Sequence, residues 1–426
     1  DGVVENPWSG AGVVQAQTDQ AIMYQFAKKF GFDKETNEIY NLFVDSSLGV
    51  FGFNSIDDFA AGNYSAVGGP VGQSAGYTLR APSTGANPAA QFSLDNLGLF
   101  VQDSWAATQN LTLQFGIRAD IPGMDEKPRF NQVASDFFGY RNDTTIDGNK
   151  LIQPRFGFNY TFDSSRPMQL RGGVGLFEGM AANVWLANPF TNNGQTITVY
   201  TIPTGNTDSL TDVTLPAGTV PKQDLDILEP GLKPPSVWKG NLAFDHELPW
   251  WGLVGSAEVV LTKVEDAFAY QHLNLGAPTG TAPDGRVLYW ENPTTGSGKN
   301  RFNQDPRFND VLLTRQTSQG NGQNLTLSLT KPNNGGDWFL QAAYSYSEAT
   351  EASPLTSSRA ISNWRNQASF NPNEVISARS NYVVRDRITA ALNWSHAFFG
   401  DNKTSLGLFG EYRSGRPYSL TMLDAT

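Results

Sequence analysis

The chain has 426 residues, a formal net charge of -11, a sequence pI of about 4.8 and no cysteine. The acidic balance argues against nucleic-acid binding, which needs a basic surface, and the lack of cysteine excludes a disulfide framework and thiolate metal sites. No stretch is apolar for long enough to predict a membrane-spanning helix. A transmembrane β-barrel stays possible, because only half of the side chains in its strands face lipid.

Alternating apolar and polar residues predict five β-hairpins, because successive side chains of a strand point to opposite faces. In the first hairpin, Leu111, Leu113 and Phe115 alternate with polar or small residues. A further strand is predicted within 23–34, which makes about eleven strands in all. The predicted hairpins are, in chain order, 97–121, 155–178, 238–264, 325–347 and 387–413.

Two classes of connection alternate along the chain. The turns within hairpins have about four to six residues, whereas the connections between hairpins have about thirty to sixty and are predicted to be irregular. Outer-membrane barrels have this pattern, with short periplasmic turns and long external loops. Within one long connection, the apolar residues 311–314 predict a strand that extends above the sheet.

Aromatic residues cluster beside the short turns, where they would form one girdle at the membrane interface. A soluble β-sandwich or propeller would explain the alternation of residues. It would explain neither the two classes of connection nor the aromatic residues at one end. The predicted girdle consists of Trp105, Phe162, Trp250, Trp251, Trp338, Phe398 and Phe399.

The expected fold is therefore all-β, a transmembrane antiparallel β-barrel, with residues 1–426 forming one partial barrel domain. Bacterial single-chain barrels close with an even number of strands, and lipid does not tolerate an open sheet edge. The odd strand count predicts that these residues are part of a larger barrel.

One hairpin motif and six further short stretches resemble one known family when they are taken in order. Leu99-Phe-Val-Gln-Asp-Ser-Trp105, followed by Asn110-Leu-Thr-Leu-Gln-Phe-Gly-Ile-Arg118, resembles the "YxQDxW…NLTLxxGxRYD" hairpin of TonB-dependent outer-membrane receptors. Further stretches are similar to the Oar-like branch, whose members carry a carboxypeptidase-regulatory-like domain before the plug. These stretches are 138–145, 154–159, 170–177, 362–365, 379–382 and 414–418.

The resemblance implies a barrel of about 22 strands with a plug inside it, and uptake of a scarce ligand powered through TonB and its inner-membrane energising complex. The 426 residues show no plug, no TonB box, no regulatory domain and no terminal strand ending in an aromatic residue. We expect those parts to lie outside these 426 residues. The implied location is the outer membrane of the Gram-negative cell envelope, in contact with its lipid.

Charged residues on the polar side of the predicted strands are expected to face the barrel lumen, because charge facing lipid costs about 2–4 kcal/mol at the bilayer midplane. There they would pair with plug residues or line the path of the ligand. The alternative is ion pairing between neighbouring strands. The candidates are Arg118, Arg155, Arg171, Lys239, Glu258, Arg387, Glu411 and Arg413.

The loops supply the remaining candidates. Trp185, Tyr200, Tyr289, Trp290 and Trp364 could contact a ligand, or they could pack the loops together. The stretch 142–149 carries two carboxylates and could bind calcium, but it offers fewer ligands than the six to eight that calcium takes, and a plain turn is the alternative. The three histidines lack the spacing of metal ligands.

No catalytic constellation is present, so neither enzymatic activity nor a cofactor is expected. Gly172-Gly-Val-Gly175 lies inside a predicted strand with no helix after it, so it does not predict a dinucleotide site; glycine in a strand more often marks close backbone approach. The expected function is TonB-dependent transport. Two alternatives stay open: a passive porin or barrel adhesin, and a soluble secreted glycan-binding protein.

Overall fold

A large antiparallel sheet dominates the computed structural model, which describes residues 31–41, 49–67, 74–83, 86–179, 181–208, 221–289, 303–333 and 336–419. Eleven strands follow one another across this sheet in chain order. They are β1 (Gly31–Asn41), β2 (Ala90–Ala106), β3 (Leu111–Gly123), β4 (Leu151–Thr161), β5 (Met168–Glu178), β6 (Ser236–Glu247), β7 (Val254–His272), β8 (Gly320–Lys331), β9 (Trp338–Glu351), β10 (Asp386–Phe399) and β11 (Asn402–Arg413).

The sheet confirms the predicted all-β class, the five hairpins and the number of strands. Each strand pairs with the next, and within the described residues β1 and β11 do not pair with each other, so the barrel is not closed. The short connections are 107–110, 162–167, 248–253, 332–337 and 400–401. The predicted end of the first strand was wrong: within the described residues β1 runs from Gly31 to Asn41, past the expected end at 34, and 23–30 lie outside the described residues.

The sheet has two chemically different faces, because residues directly opposite each other on paired strands share a face. On the apolar face, Leu327 lies opposite Ala257 and Tyr344, and 46% of its surface is exposed. Comparable exposure along the whole sheet is what a surface facing lipid requires, since a soluble core would bury these side chains. Exposed members of the apolar face are Leu99, Phe115, Phe156, Val174, Leu242, Leu261, Leu327, Ile388 and Leu408.

Exposure along β7 marks where the strand leaves this environment. Its apolar-face residues 257, 259, 261 and 263 are exposed, but from Asp266 to His272 the side chains of both faces are buried or half-buried. The final part of the strand pairs with Phe308–Thr317, and that strand pairs in parallel with Gln223–Leu228. The predicted strand at 311–314 is thus confirmed, within a longer one.

Three helices complete this second layer, which we call the cap: α2 (Gln132–Phe138), α3 (Asn183–Thr191) and α4 (Ala360–Arg365), together with Gln223–Leu228, Phe308–Thr317 and residues 266–272. Helix α3 packs onto the end of β2, where the rings of Phe190 and Phe92 stack at 4.7 Å. The prediction that the long connections between hairpins are irregular was wrong for much of their described part, which builds a core of its own. Periodicity could not reveal it, because its short elements are buried on both faces.

Smaller elements occupy the remaining connections. Helix α1 (Ile56–Ala60) is capped by Ser55, whose hydroxyl accepts a hydrogen bond from the Asp58 amide at 3.0 Å. In the described residues no helix is long and apolar enough to span a bilayer. The other short strands are Val50–Phe51, Asn63–Val67, Ser74–Ala75, Tyr77–Pro82, Ile197–Ile202, Thr204–Asn206, Gly280–Thr281, Val287–Leu288 and Ala378–Arg379.

Glycines in β4 and β5 provide a test of strand packing. Gly157 and Gly173 face each other across the two strands. A Cβ atom at Gly173 would lie 2.8 Å from the Phe156 carbonyl oxygen, whereas one at Gly157 would meet nothing closer than 3.6 Å. We expect Gly173→Ala to destabilise the sheet by about 1–3 kcal/mol through overpacking, and Gly157→Ala to cost far less.

The thermal midpoint for loss of detergent resistance, measured on the full-length protein, compares the two variants. Equal midpoints for Gly157→Ala and Gly173→Ala would contradict the close backbone approach at Gly173.

Candidate functional site

All eight charged candidates lie on the face opposite to the apolar one, which we call the polar face. The strand register shows this by direct pairing across the sheet, for example Arg155 with Gly175, Gly175 with Lys239 and Arg387 with Arg413. The polar side of every predicted strand thus forms one continuous surface. The members of this set are Arg118, Arg155, Arg171, Lys239, Glu258, Arg387, Glu411 and Arg413.

Several of these charges contact an opposite charge within the same face. Arg171 lies 3.0 Å from the Asp245 carboxylate and 3.6 Å from that of Glu258, and Arg387 Nε donates to Glu411 Oε1 at 2.8 Å. Such pairs on neighbouring strands correspond to the alternative of ion pairing within the wall. They also leave the polar face patterned with both signs of charge, rather than uniformly basic or acidic.

A more buried network occupies the polar face of β3 and β4. Asp120 is 2% exposed and accepts hydrogen bonds from Arg118 Nε at 2.7 Å and from the Gln153 amide. Gln153 Oε1 in turn accepts from Arg155 Nη2 at 3.0 Å. The Arg155 guanidinium also lies 4.7 Å from the centre of the Phe177 ring. Burial of Asp120 holds Arg118 in place, because a buried charge must keep its partner.

The seven aromatic residues of the predicted girdle lie at one end of the sheet, in or next to the short connections. Trp105 is near the end of β2, Trp338 begins β9, and Phe398 and Phe399 end β10. Trp251, within a turn, is 83% exposed. Exposed amphipathic rings at one level suit the interface between lipid and water, and their interfacial role stays a prediction.

The aromatic candidates in the loops are mostly built into the cap. Trp364 is buried, its Nε1 donates to Asn373 Oδ1 at 3.1 Å, and Tyr289 donates to Asn371 Oδ1 at 3.0 Å. Trp185 is half-buried and donates to the Ser357 carbonyl at 2.9 Å. Tyr200 is half-buried in the strand Ile197–Ile202. These contacts agree with the alternative prediction, that the aromatic residues pack the loops together. Trp290 lies outside the described residues.

The loop 142–149 uses its polar groups internally. Asn142 is fully buried and accepts from the Asn131 amide at 2.8 Å, Asp143 pairs with Arg141 at 2.6 Å, and Asp147 accepts from the Met124 amide at 3.0 Å. Across the described part of the chain, no group of three or more acidic, histidine or cysteine side chains is arranged to hold a metal ion.

The cap contains a cluster of buried acids that was not predicted from the sequence. Asp224 accepts from Arg80 Nε at 3.0 Å, Asp226 accepts from Asn192 Nδ2 at 2.7 Å, and Asp310 lies 3.0 Å from His272 Nε2. Burial raises the pKa of Asp226 to about 7. The charges of Asp224 and Asp310 also act to raise this pKa, the bond from Asn192 and the charge of Arg359 act to lower it, and the value of about 7 includes all of them. Only the fold brings these acids together, because they come from two different connections.

The buried carboxyl of Asp226 predicts a cap that loosens as pH rises. Because its folded-state pKa of about 7 lies above the ordinary 3.8, its contribution to stability is complete below the ordinary value and is lost as pH rises through about 7. Hydrogen exchange of Gln223–Leu228 and Phe308–Thr317, corrected for intrinsic rates, should show stronger protection at acid pH. The variant Asp226→Asn has no charge to bury, so it should lose this dependence; an unchanged profile would contradict the assignment.

A cavity of about 380 Å³ lies between the polar face of β8–β10 and the loop residues 380–384. Asn324, Ser345, Ser347 and Arg387 line it on the side of the sheet. From the sequence, these residues are predicted only to lie on the polar side of their strands. The hydroxyl and amide groups that recur on adjacent strands could have indicated this polar surface from the sequence. The cavity itself depends on the fold of the loop.

The model of one family, described as outer membrane beta barrel domain, matches residues 27–415 of the chain. The chain belongs to this family. The barrel domain is thus a component of the bacterial outer membrane, in contact with its lipid. The soluble alternative is thereby overturned. No curated protein matches the chain.

Solved structures similar to the barrel domain include outer-membrane transporters. "Copper transporter OprC" is 11% identical with a TM-score of 0.37, covering 76% of this chain and 40% of that one. The outer membrane transporter YddB from Escherichia coli is 12% identical with a TM-score of 0.40, covering 75% and 35%. The P. putida toluene transporter TodX is 11% identical with a TM-score of 0.26, covering 89% and 72%. The chain spans less than half the length of the first two.

Proposed function

We propose that the barrel domain is part of a TonB-dependent outer-membrane transporter of the Oar-like branch, which takes up a scarce ligand. The supporting observation is the continuous polar face, with its fixed charges, on the side of the sheet opposite to lipid. In a closed barrel this face would line the lumen, where it could hold a plug or a passing ligand. The order of the six family-like motifs supports the same branch.

The long connections agree with a receptor role. They form a packed cap at the end of the strands opposite to the short turns, and under the proposal this end faces outward. A preorganised cap would present its binding groups without the entropic cost of ordering loops. The proposal assigns the domain no catalytic chemistry, so turnover by the purified protein would count against it.

Conductance separates this function from that of a passive porin. The full-length protein, reconstituted in planar lipid bilayers, is expected to give no steady open channel, because a plug would close the lumen. It is also expected to bind the purified periplasmic domain of TonB in detergent. A stable water-filled conductance without TonB, or failure to bind that domain, would replace the proposal with the porin or adhesin alternative.

A further inference from the structure

The cavity above β8–β10 has a floor of neutral hydrogen-bonding groups. Asn324 and Ser347 are directly opposite on β8 and β9, and Asn324 Nδ2 donates to Ser347 Oγ at 2.6 Å. Ser345 is the neighbour of Ser347 on the same face of β9, and its hydroxyl lies 3.2 Å from the hydroxyl of Thr326. Each hydroxyl carries one donor and two acceptor sites, so both serines keep hydrogen-bonding capacity beyond these contacts.

The loop that covers this floor is held in place by the sheet. Ala378 and Arg379 pair with the end of β9, and the Ser380 amide donates to the Ala349 carbonyl at 2.9 Å. The Tyr382 hydroxyl donates to the Pro354 carbonyl at 3.0 Å, while 53% of the residue is exposed. The anchored ring and the neighbouring Val383 and Val384 give the cavity an apolar side.

Charge is nearly balanced at this site. Arg387 is the charged lining residue, and its Nε donates to the carboxylate of Glu411, which is outside the lining. No carboxylate lines the cavity, so it offers a cation no ligand set. The part of the polar face on β3–β7, in contrast, is more densely charged, with Arg118, Arg155, Arg171 and Lys239 beside Asp120, Asp245 and Glu258.

We propose that this cavity binds a neutral polyhydroxylated ligand, namely one short segment of an uncharged glycan. Sugar rings present hydroxyl groups at their edges and C–H groups on their faces, which match the neutral polar floor and the aromatic and aliphatic roof. The volume of about 380 Å³ lies at the small end of the range of about 300–1,000 Å³ for ligand pockets. This inference names the ligand class of the proposed transporter and in that sense rests on the proposed function.

Binding of immobilised oligosaccharides to the full-length protein in detergent tests the inference. The probes are neutral glucose-, mannose- and galactose-based oligosaccharides, with uronic-acid oligosaccharides of matched length as the anionic set. We expect binding within the neutral set, with an affinity that changes little with salt, because no net charge attracts the ligand. Binding confined to the anionic set, or to no probe, would overturn the inference.

Variants of the lining residues test whether the oligosaccharides bind in this cavity. Tyr382→Ala is expected to weaken neutral-glycan binding about tenfold, because an aromatic contact of this kind is lost. Tyr382→Phe should retain the affinity for neutral glycans, because the aromatic ring stays. The double variant Ser345→Ala with Ser347→Ala should weaken binding by a similar factor. Equal affinities for Tyr382→Ala and the unmodified protein would overturn the inference.

Matched controls are available outside the cavity. Ser328→Ala removes a hydroxyl from the same face of β8, and Tyr418→Ala removes an aromatic ring that is 84% exposed; neither should change binding. Because the assay needs no TonB, its outcome is independent of the conductance and TonB experiments. Glycan binding by a protein that forms an open channel would keep the ligand class and reject the transporter.

Discussion

Leu327→Arg is expected to destabilise the barrel domain by about 2–4 kcal/mol, the cost of an arginine facing lipid at the bilayer midplane. Leu327 is on the apolar face of β8, between Ala257 and Tyr344 on the neighbouring strands. It precedes the short connection 332–337 by only a few residues. Since a transmembrane strand needs about 9–11 residues, this position is close to the middle of the bilayer.

The adjacent residue provides the matched control. Ser328 lies on the polar face, opposite Ser256 and Ala343, so Ser328→Arg should cost far less than Leu327→Arg. The assembled fraction of each variant in outer membranes, and its midpoint of chemical unfolding in lipid vesicles, would compare the two. If Ser328→Arg proved the more damaging variant, the assignment of the two faces would be reversed.

The second large effect is expected in the cap. Phe308 is 1% exposed, and its ring lies 5.4 Å from that of Phe138 in an edge-to-face contact. It packs in a cluster with Leu225, Ile227 and Leu313. Phe308→Ala should destabilise the cap by about 3–5 kcal/mol, because it removes buried apolar surface and leaves a cavity.

Proteolysis of intact cells would report this change if the cap faces outward as proposed. Phe308→Ala should make the long connections more sensitive to an added protease, while the sheet, held by its own ladder of hydrogen bonds, keeps its resistance to detergent. Phe370→Ala, at a loop residue that is 61% exposed, is the control and should leave both properties unchanged. A variant Phe308→Ala that loses the detergent resistance of the sheet would show that cap and sheet unfold as one unit.

The two expected results together would separate two sources of stability in one chain. The sheet depends on an environment that is apolar on one side, so a charge on that side is costly. The cap depends on a core that excludes water, so a deleted ring is costly. The pH dependence expected from Asp226 belongs to the cap alone, because its carboxyl group is buried among Asn192, Asp224 and Asp310.

The sequence by itself determined the hairpins, the two classes of connection and the separation of polar from apolar side chains. The side chains of a strand alternate between its two faces. The alternation of Leu325, Leu327 and Leu329 with Asn324, Thr326 and Ser328 therefore predicts a strand and assigns each of these side chains to a face. It also placed Arg155, Lys239 and Arg387 on the same side of their strands, before any pairing was known.

Only the tertiary structure decided the end of β1, the cap and its buried acids, and the cavity beneath 380–384. The cap elements are short and buried on both faces, which removes the periodicity that identifies a half-exposed strand. Asp226 and Asp310 meet because two distant connections pair in parallel. Ser347 and Tyr382 line one cavity because a loop folds back over the strand that precedes it, and contacts between distant residues of this kind leave no local pattern in a single sequence.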